Sequence, residues 1–212
     1  MQEKYTFQDL ITIMETLRSE DGCPWDRAQT HQSIKKHTVE ESYELAEAID
    51  NGDPKKIADE SGDLLLQVVF HAAIAKDLGE YTIDDVTDVI CRKMRHRHPH
   101  IFEGKAEADW DEIKRKDRSQ KTVTEELRGI SAYLPSLMRA EKAQGKLKKA
   151  GFYDTPQIPD DPELVFGQKL YTLVEEAKAN GISLELALNR YLNHLIDAFQ
   201  KYEETKEPSS CD

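Results

Sequence analysis

The tetrapeptide at positions 51–54, Asn-Gly-Asp-Pro, constrains the fold more than any other stretch of this chain of 212 residues. Apolar residues recur at helical spacing on both sides of it, over about residues 31–51 and 54–77. Asn-Gly is typical of a helix C-terminus, and Asp-Pro is typical of the N-cap and first position of the next helix. Because so short a connection makes two helices antiparallel neighbours, the tetrapeptide predicts a helical hairpin.

The rest of the chain also shows helical periods, and no stretch has the alternation typical of a β-strand. We expect further helices at about 7–17, 82–98, 107–118, 126–150, 162–180 and 183–205. Three prolines between positions 152 and 162 indicate a linker. The prediction is an all-α protein with four segments: a helical domain over 1–119, a connector helix and proline-rich linker over 120–161, a helical pair over 162–205 and a disordered tail over 206–212.

Four acidic residues occupy matching positions on the two arms of the predicted hairpin. Glu44 precedes Gly52 by eight residues, and Glu60 follows it by eight. Glu41 and Asp63 each lie eleven residues from the same glycine. Since each helical residue rises by about 1.5 Å, the two members of each pair lie at the same height. We therefore expect four carboxylates on two adjacent turns of facing helices.

Carboxylates crowded into a partly buried cleft repel one another and lose hydration, so cations or a metal ion must neutralise them. The second helix has no lysine or arginine between Lys56 and Lys76. Oxygen ligands that leave positions for water or phosphate suit Mg²⁺, with Mn²⁺ as a possible substitute. For Glu40, Glu41 and Glu44 alone, a solvated acidic face is the alternative, but the matching acids on the second helix favour a metal site.

Two pairs of residues at i, i+4 spacing further along the chain suit a phosphate-bearing ligand. Lys93 and Arg97 precede Pro99 and share one helix face, either to hold phosphate oxygens or as favourable charge at a helix C-terminus. Trp110 and Lys114 pair a ring that can stack on a base with a cation in reach of phosphate, or they pack against the bundle. The spacing leaves both alternatives open for each pair.

The overall charge limits the partners that this chain can have. The formal net charge of −12 argues against nucleic acid and anionic membranes, which bind basic surfaces. The longest apolar run, at 64–75, has about 12 residues, whereas a membrane span needs about 20. No apolar signal region follows the first methionine. We expect a cytoplasmic protein without nucleic-acid or membrane partners.

Together, these motifs resemble the MazG family of nucleoside triphosphate pyrophosphohydrolases. The resemblance covers about residues 7–118 and rests on five stretches: CPWDRAQTH, VEESYELAEAI with its EExxE, ESGDLLLQVVF with its ExxD, RKMRHRHPHIF and WDEIK. It implies an all-α bundle that acts as a homodimer or higher homo-oligomer, with substrate held near the interface. It also implies hydrolysis of a nucleoside triphosphate to a nucleoside monophosphate and pyrophosphate with Mg²⁺.

The resemblance further implies a role for each candidate residue. The residues implied as catalytic all carry a carboxylate: Glu40, Glu41, Glu44, Glu60 and Asp63. All of them except Glu40 would bind the metal, and Glu40 would support the ligands from outside or help to orient the attacking water. The residues implied as substrate-binding are Lys93, Arg97, Trp110 and Lys114.

Residues 164–204 resemble the end of the second domain of a tandem two-domain MazG protein, but they depart from its pattern. The helix that would carry a second EExxE is missing, and Val165 and Gln168 occupy the positions of the second ExxD acids. His194 and Ala198 occupy the positions of the phosphate-binding lysine and arginine. We therefore expect this half to bind no catalytic metal and to serve packing or dimer formation.

The main hypothesis is Mg²⁺-dependent hydrolysis of nucleoside triphosphates, with a metal-activated water attacking the α-phosphorus. A narrower pyrophosphatase acting on dUTP, dCTP or a damaged nucleotide is an alternative. A non-catalytic helical interaction or regulatory protein is another. A di-iron carboxylate bundle expects ExxH pairs, which neither EESYE nor ESGD supplies.

Overall fold

The computed structural model describes residues 4–104, 122–153 and 157–205. Within these ranges all regular structure is α-helical, which confirms the predicted all-α class. The chain divides into two compact units, Met1–Ala108 and Asp109–Asp212. The helix predicted at 107–118, with Trp110 and Lys114, and the tail at 206–212 lie outside the described residues.

The described part of the first unit contains α1 (Phe7–Arg18), α2 (Pro24–Ala28), α3 (His31–Asn51), α4 (Pro54–Asp77), α5 (Ile83–Arg97) and α6 (Pro99–Phe102). The predicted hairpin is confirmed, because α3 and α4 share the most extensive helix–helix contact of this unit. Gly52 ends α3 in the left-handed region, at φ 71°, where a Cβ atom would be strained. The Asp53 side chain then caps α4 by accepting a hydrogen bond from the Lys55 backbone N–H.

The core of the first unit lies where α1, α3 and α4 meet. Its buried cluster consists of Met14, Ile34, Val69, Phe70 and Ile74. Arg18, at the end of α1, joins three elements beside this core: its guanidinium lies 2.8 Å from the Asp77 carboxylate of α4 and donates to the Asp26 carbonyl of α2. These contacts hold α4 in place from its C-terminal end.

Helix α4 leaves part of its nearly continuous apolar sequence exposed. Leu65 and Val68 are each 41% exposed, whereas Gln67 and Val69 are buried. Two sides of α4 are covered by α1 and α3, but α5 contacts it only slightly, so one apolar face stays open. No helix in the described residues is long and apolar enough to cross a membrane.

The described part of the second unit contains α7 (Val123–Arg128), α8 (Ser136–Lys149), α9 (Pro162–Ala179) and α10 (Leu184–Glu204). The prediction of one helix over 126–150 is wrong, because α7 ends at Gly129 and α8 begins only after Pro135. Glycine favours a helix end, and the proline ring disfavours the helical conformation in the residue before it. Helices α8 and α9 pack through the buried Val174, and Gln144 donates to the Tyr171 carbonyl at 2.6 Å.

Candidate active site

Three carboxylates from the two arms of the hairpin come together in the first unit. Glu41 of α3 and Glu60 and Asp63 of α4 each place one oxygen within 4.8 Å of the others. We call these three residues the acid cluster. Ligand oxygens lie about 2.1 Å from Mg²⁺, so two oxygens on opposite sides of the ion are about 4 Å apart. The separation and the all-oxygen donor set therefore fit a hard divalent cation.

Glu44 lies beside the acid cluster. It is exposed, and its oxygens are outside the set that meets the 4.8 Å separation. It is near enough for its negative charge to act on both Glu41 and Glu60. The hairpin therefore brings all four predicted acids to one region, with three of them in direct proximity.

Burial and mutual repulsion raise the pKa of two carboxyl groups in the acid cluster. For Glu41 the largest cause is loss of hydration, followed by the charges of Asp63, Glu44 and Glu60. For Glu60 loss of hydration again comes first, followed by the charges of Glu44, Asp59 and Asp63. A bound divalent cation would offset this repulsion, because its charge favours the ionised carboxylates.

Glu40 is paired with a histidine and not with the acid cluster. Its carboxylate lies 2.8 Å from the Nδ1 atom of His37, one turn earlier on α3. Both side chains are partly or largely open to solvent. The role of Glu40 in catalysis stays a prediction.

Lys93 and Arg97 share one face of α5. They are not among the charges that shift the pKa of Glu41 or Glu60. Ile83 and Val86 near the beginning of α5 and Arg97 at its end are partly buried, and residues 87–96 between them are all exposed. The structure thus places this pair on a helix that leaves the hairpin. Their contact with phosphate stays a prediction.

A polar seam continues from the acid cluster along the contact between α3 and α4, and sequence reasoning missed it. Nδ1 of His71 lies 2.7 Å from Nδ1 of His31, and Nε2 of His71 lies 3.4 Å from the Thr38 hydroxyl. Between the cluster and this pair lies Gln67, which is 7% exposed and whose Oε1 has no hydrogen-bond partner in the described part of the chain. The signal was present in the i, i+4, i+8 spacing of Asp63, Gln67 and His71.

Comparison with known proteins identifies the family. The family described as "MazG nucleotide pyrophosphohydrolase domain" matches residues 29–102, which include α3, α4, the acid cluster and α5. The chain is also 35% identical to the nucleoside triphosphate pyrophosphohydrolase/pyrophosphatase MazG of Thermotoga maritima, over 95% of this chain and 87% of that protein. The chain belongs to the MazG family. It is accordingly an enzyme of the pyrophosphohydrolase class.

Two further relatives differ in how much of this MazG chain they match. A nucleoside triphosphate pyrophosphohydrolase of Escherichia coli K12 is 42% identical over 68% of this chain and 57% of its own length. An uncharacterised 26.1 kDa protein of Streptomyces cacaoi is 34% identical over 92% of this chain and 81% of its own length. Similarity to the Thermotoga and Streptomyces proteins therefore extends over both units.

Proposed function

We propose that this MazG protein hydrolyses nucleoside triphosphates to nucleoside monophosphate and pyrophosphate, in a reaction that depends on Mg²⁺. The observation that carries the proposal is the approach of Glu41, Glu60 and Asp63 to within a separation that suits one divalent cation. The names of the Thermotoga and Escherichia relatives, both nucleoside triphosphate pyrophosphohydrolases, support the substrate class.

The acids of the hairpin would hold the metal, and the metal would supply a bound water of lowered pKa and shield phosphate charge. Glu41, Glu60 and Asp63 offer three oxygen ligands, and Glu44 adds negative charge beside them. With three protein ligands, the metal would keep room for water and for phosphate oxygens. It would supply an activated water for attack on the α-phosphorus, and the α–β bond would break as pyrophosphate leaves.

The phosphates and the base would be held by residues outside the hairpin. Lys93 and Arg97 suit phosphate oxygens, because they present two cations on one face of α5. Trp110 and Lys114 would complete the nucleotide pocket, as the family resemblance implies. These four assignments depend on the motifs RKMRHRHPHIF and WDEIK.

We further propose that the protein acts as a homodimer or higher homo-oligomer. In α5, Ile90 and Met94 are 46% and 43% exposed and lie on the same side as Lys93 and Arg97. An amphipathic helix in water is stabilised mainly by a partner that packs on its apolar face. A second copy that covers this face of α5 would bury it close to the two cations.

The last helix of the second unit supports the same assembly. Every residue from 188 to 205 is exposed. Six large apolar side chains fall within about 60° of one direction around α10: Leu188, Tyr191, Leu192, Leu195, Phe199 and Tyr202. With on the order of 100 Å² exposed by each, the stripe reaches the upper end of the patch sizes found on monomers and approaches the area that one partner buries in a stable complex. Self-association through α10 is the role that we propose for this half.

A nucleotide panel tests the proposed activity. Canonical and modified nucleoside triphosphates are incubated with Mg²⁺, and the products are separated by chromatography. We expect nucleoside monophosphate and pyrophosphate, whereas nucleoside diphosphate and phosphate, or no hydrolysis at all, would contradict the proposal. Strong preference for dUTP, dCTP or a damaged nucleotide would identify the narrower enzyme.

A further inference from the structure

Gln67 is nine-tenths buried, and its amide oxygen has no hydrogen-bond partner among the residues that the structure describes. The residue is 7% exposed. A buried carbonyl without a partner destabilises a fold, whereas methionine or leucine of similar volume would carry no such penalty. An unsatisfied buried group in a native protein therefore points to an ordered water, an ion or a functional role.

The position of Gln67 on α4 indicates a role next to the acid cluster. It lies one turn after Asp63 of the acid cluster and one turn before His71, on the side of α4 that faces α3. Side chains four residues apart on a helix have their Cβ atoms about 5–6 Å apart, a gap that one water molecule can bridge. The side chains of Gln67 and of Asp63, a proposed metal ligand, therefore start from Cβ atoms close enough for one water to connect their polar groups.

We propose that Gln67 is a positioning residue of the active site. A water held in the seam donates one hydrogen bond to Gln67 Oε1 and the other to the Asp63 carboxylate. The bridge satisfies the buried amide oxygen and restricts Asp63 to the side-chain orientation that faces Glu41. Removing a group that forms hydrogen bonds with a metal ligand commonly weakens metal affinity or activity by about 10–100-fold. This inference rests on the proposed function of the acid cluster.

The substitution Gln67→Met tests the proposal, because it keeps the volume and removes the acceptor. We expect the metal-free variant to melt at the same temperature as the wild type or higher. We expect its Mn²⁺ Kd, measured by electron paramagnetic resonance of free Mn²⁺, to rise by about tenfold. A Mn²⁺ Kd within twofold of the wild type would overturn the inference.

Gln144→Met is a matched control, since Gln144 is also 7% exposed and also has an orphan Oε1, but lies in the second unit. Its Mn²⁺ Kd should equal that of the wild type, and an equal loss of affinity in both variants would contradict a local role. If Gln67→Met does not fold, Gln67→Glu replaces it. A carboxylate one turn from Asp63 should change the Mn²⁺ Kd several-fold, and an unchanged Kd would overturn the inference.

The same measurements separate this inference from the proposed function. A wild type that binds no Mn²⁺ and hydrolyses no nucleotide overturns both. A wild type that binds Mn²⁺ and hydrolyses nucleotide, together with a folded Gln67→Met that binds Mn²⁺ equally well, overturns only the role of Gln67.

Discussion

His31 and His71 face each other across the α3–α4 hairpin, with their Nδ1 atoms 2.7 Å apart and their rings stacked. A hydrogen bond between two ring nitrogens requires one donor and one acceptor, so at least one imidazole is neutral. Tyr81 also stacks on His31, and Glu80 lies 3.9 Å from its Nε2 atom. Desolvation, followed by the neighbouring His31, lowers the pKa of His71 below its ordinary value of 6.5.

The lowered pKa of His71 predicts a loss of stability in acid. The unfolded chain binds a proton at His71 more readily than the folded chain, so this stabilisation is present above about pH 6.5 and is lost as pH falls through the lower folded pKa. With metal removed by EDTA, the melting temperature of His71→Gln should fall less between pH 7.5 and 5.5 than that of the wild type. Equal pH dependence in both proteins would contradict this prediction.

Replacing Glu41 with Gln should stabilise the metal-free protein while it strongly lowers activity. The raised pKa of Glu41 means that its ionised form is unfavourable in the folded state, and glutamine removes that charge at neutral pH. The loss of a metal ligand should lower kcat/KM by at least about 100-fold, equivalent to about 2.7 kcal/mol. Chemical denaturation in the presence of EDTA measures the free energy of unfolding of the metal-free protein. A nucleotide hydrolysis assay measures kcat/KM.

Glu47→Gln is the control for this substitution. Glu47 is an exposed acid of the same helix and is not among the charges that act on Glu41 or Glu60. Its substitution should leave hydrolysis near the wild-type level. If Glu41→Gln keeps full activity, the acid cluster is not the active site.

Mg²⁺ should raise the melting temperature, and more so at pH 7.5 than at pH 5. The raised pKa values of Glu41 and Glu60 let protons compete with the metal in acid. At about 100 times its Kd, a ligand of the folded state stabilises by about 2.7 kcal/mol, or about 5–10 °C for a chain of this size. Scanning fluorimetry measures the shift, with KCl of equal ionic strength as the control. If Mg²⁺ raises the melting temperature of Asp63→Asn by the same amount, the metal does not bind at the acid cluster.

Leu195→Glu should weaken self-association through α10. The substitution places a charge in the middle of the exposed apolar stripe, and burying that charge in an interface would be unfavourable. Light scattering after size-exclusion chromatography should give a smaller mass for this variant than for the wild type. Asn193→Glu, on the opposite side of α10, should keep the wild-type mass, and an unchanged mass in both variants would exclude α10 from the interface.

The sequence predicted the α3–α4 hairpin correctly because short-range turn signals decide it. The break between α7 and α8 was missed although its signal is also short-range. The hairpin followed from four turn residues and two helical periods, and its symmetry about Gly52 predicted the approach of Glu41, Glu60 and Asp63. The break between α7 and α8 was equally local, since Gly129 marks it, but the helical period on both sides obscured it.

The sequence by itself determined that two long helices turn back at Gly52 and carry their acids at matching heights, because turn chemistry and the rise per residue act over a few residues. Only the tertiary structure decided that His31 meets His71 and that Gln67 lies buried without a hydrogen-bond partner for its amide oxygen. It alone also decided that α5 leaves the hairpin. The physical reason is that side-chain orientation, burial and the path of a helix beyond a turn depend on which distant residues pack against it, and helical spacing does not encode those contacts.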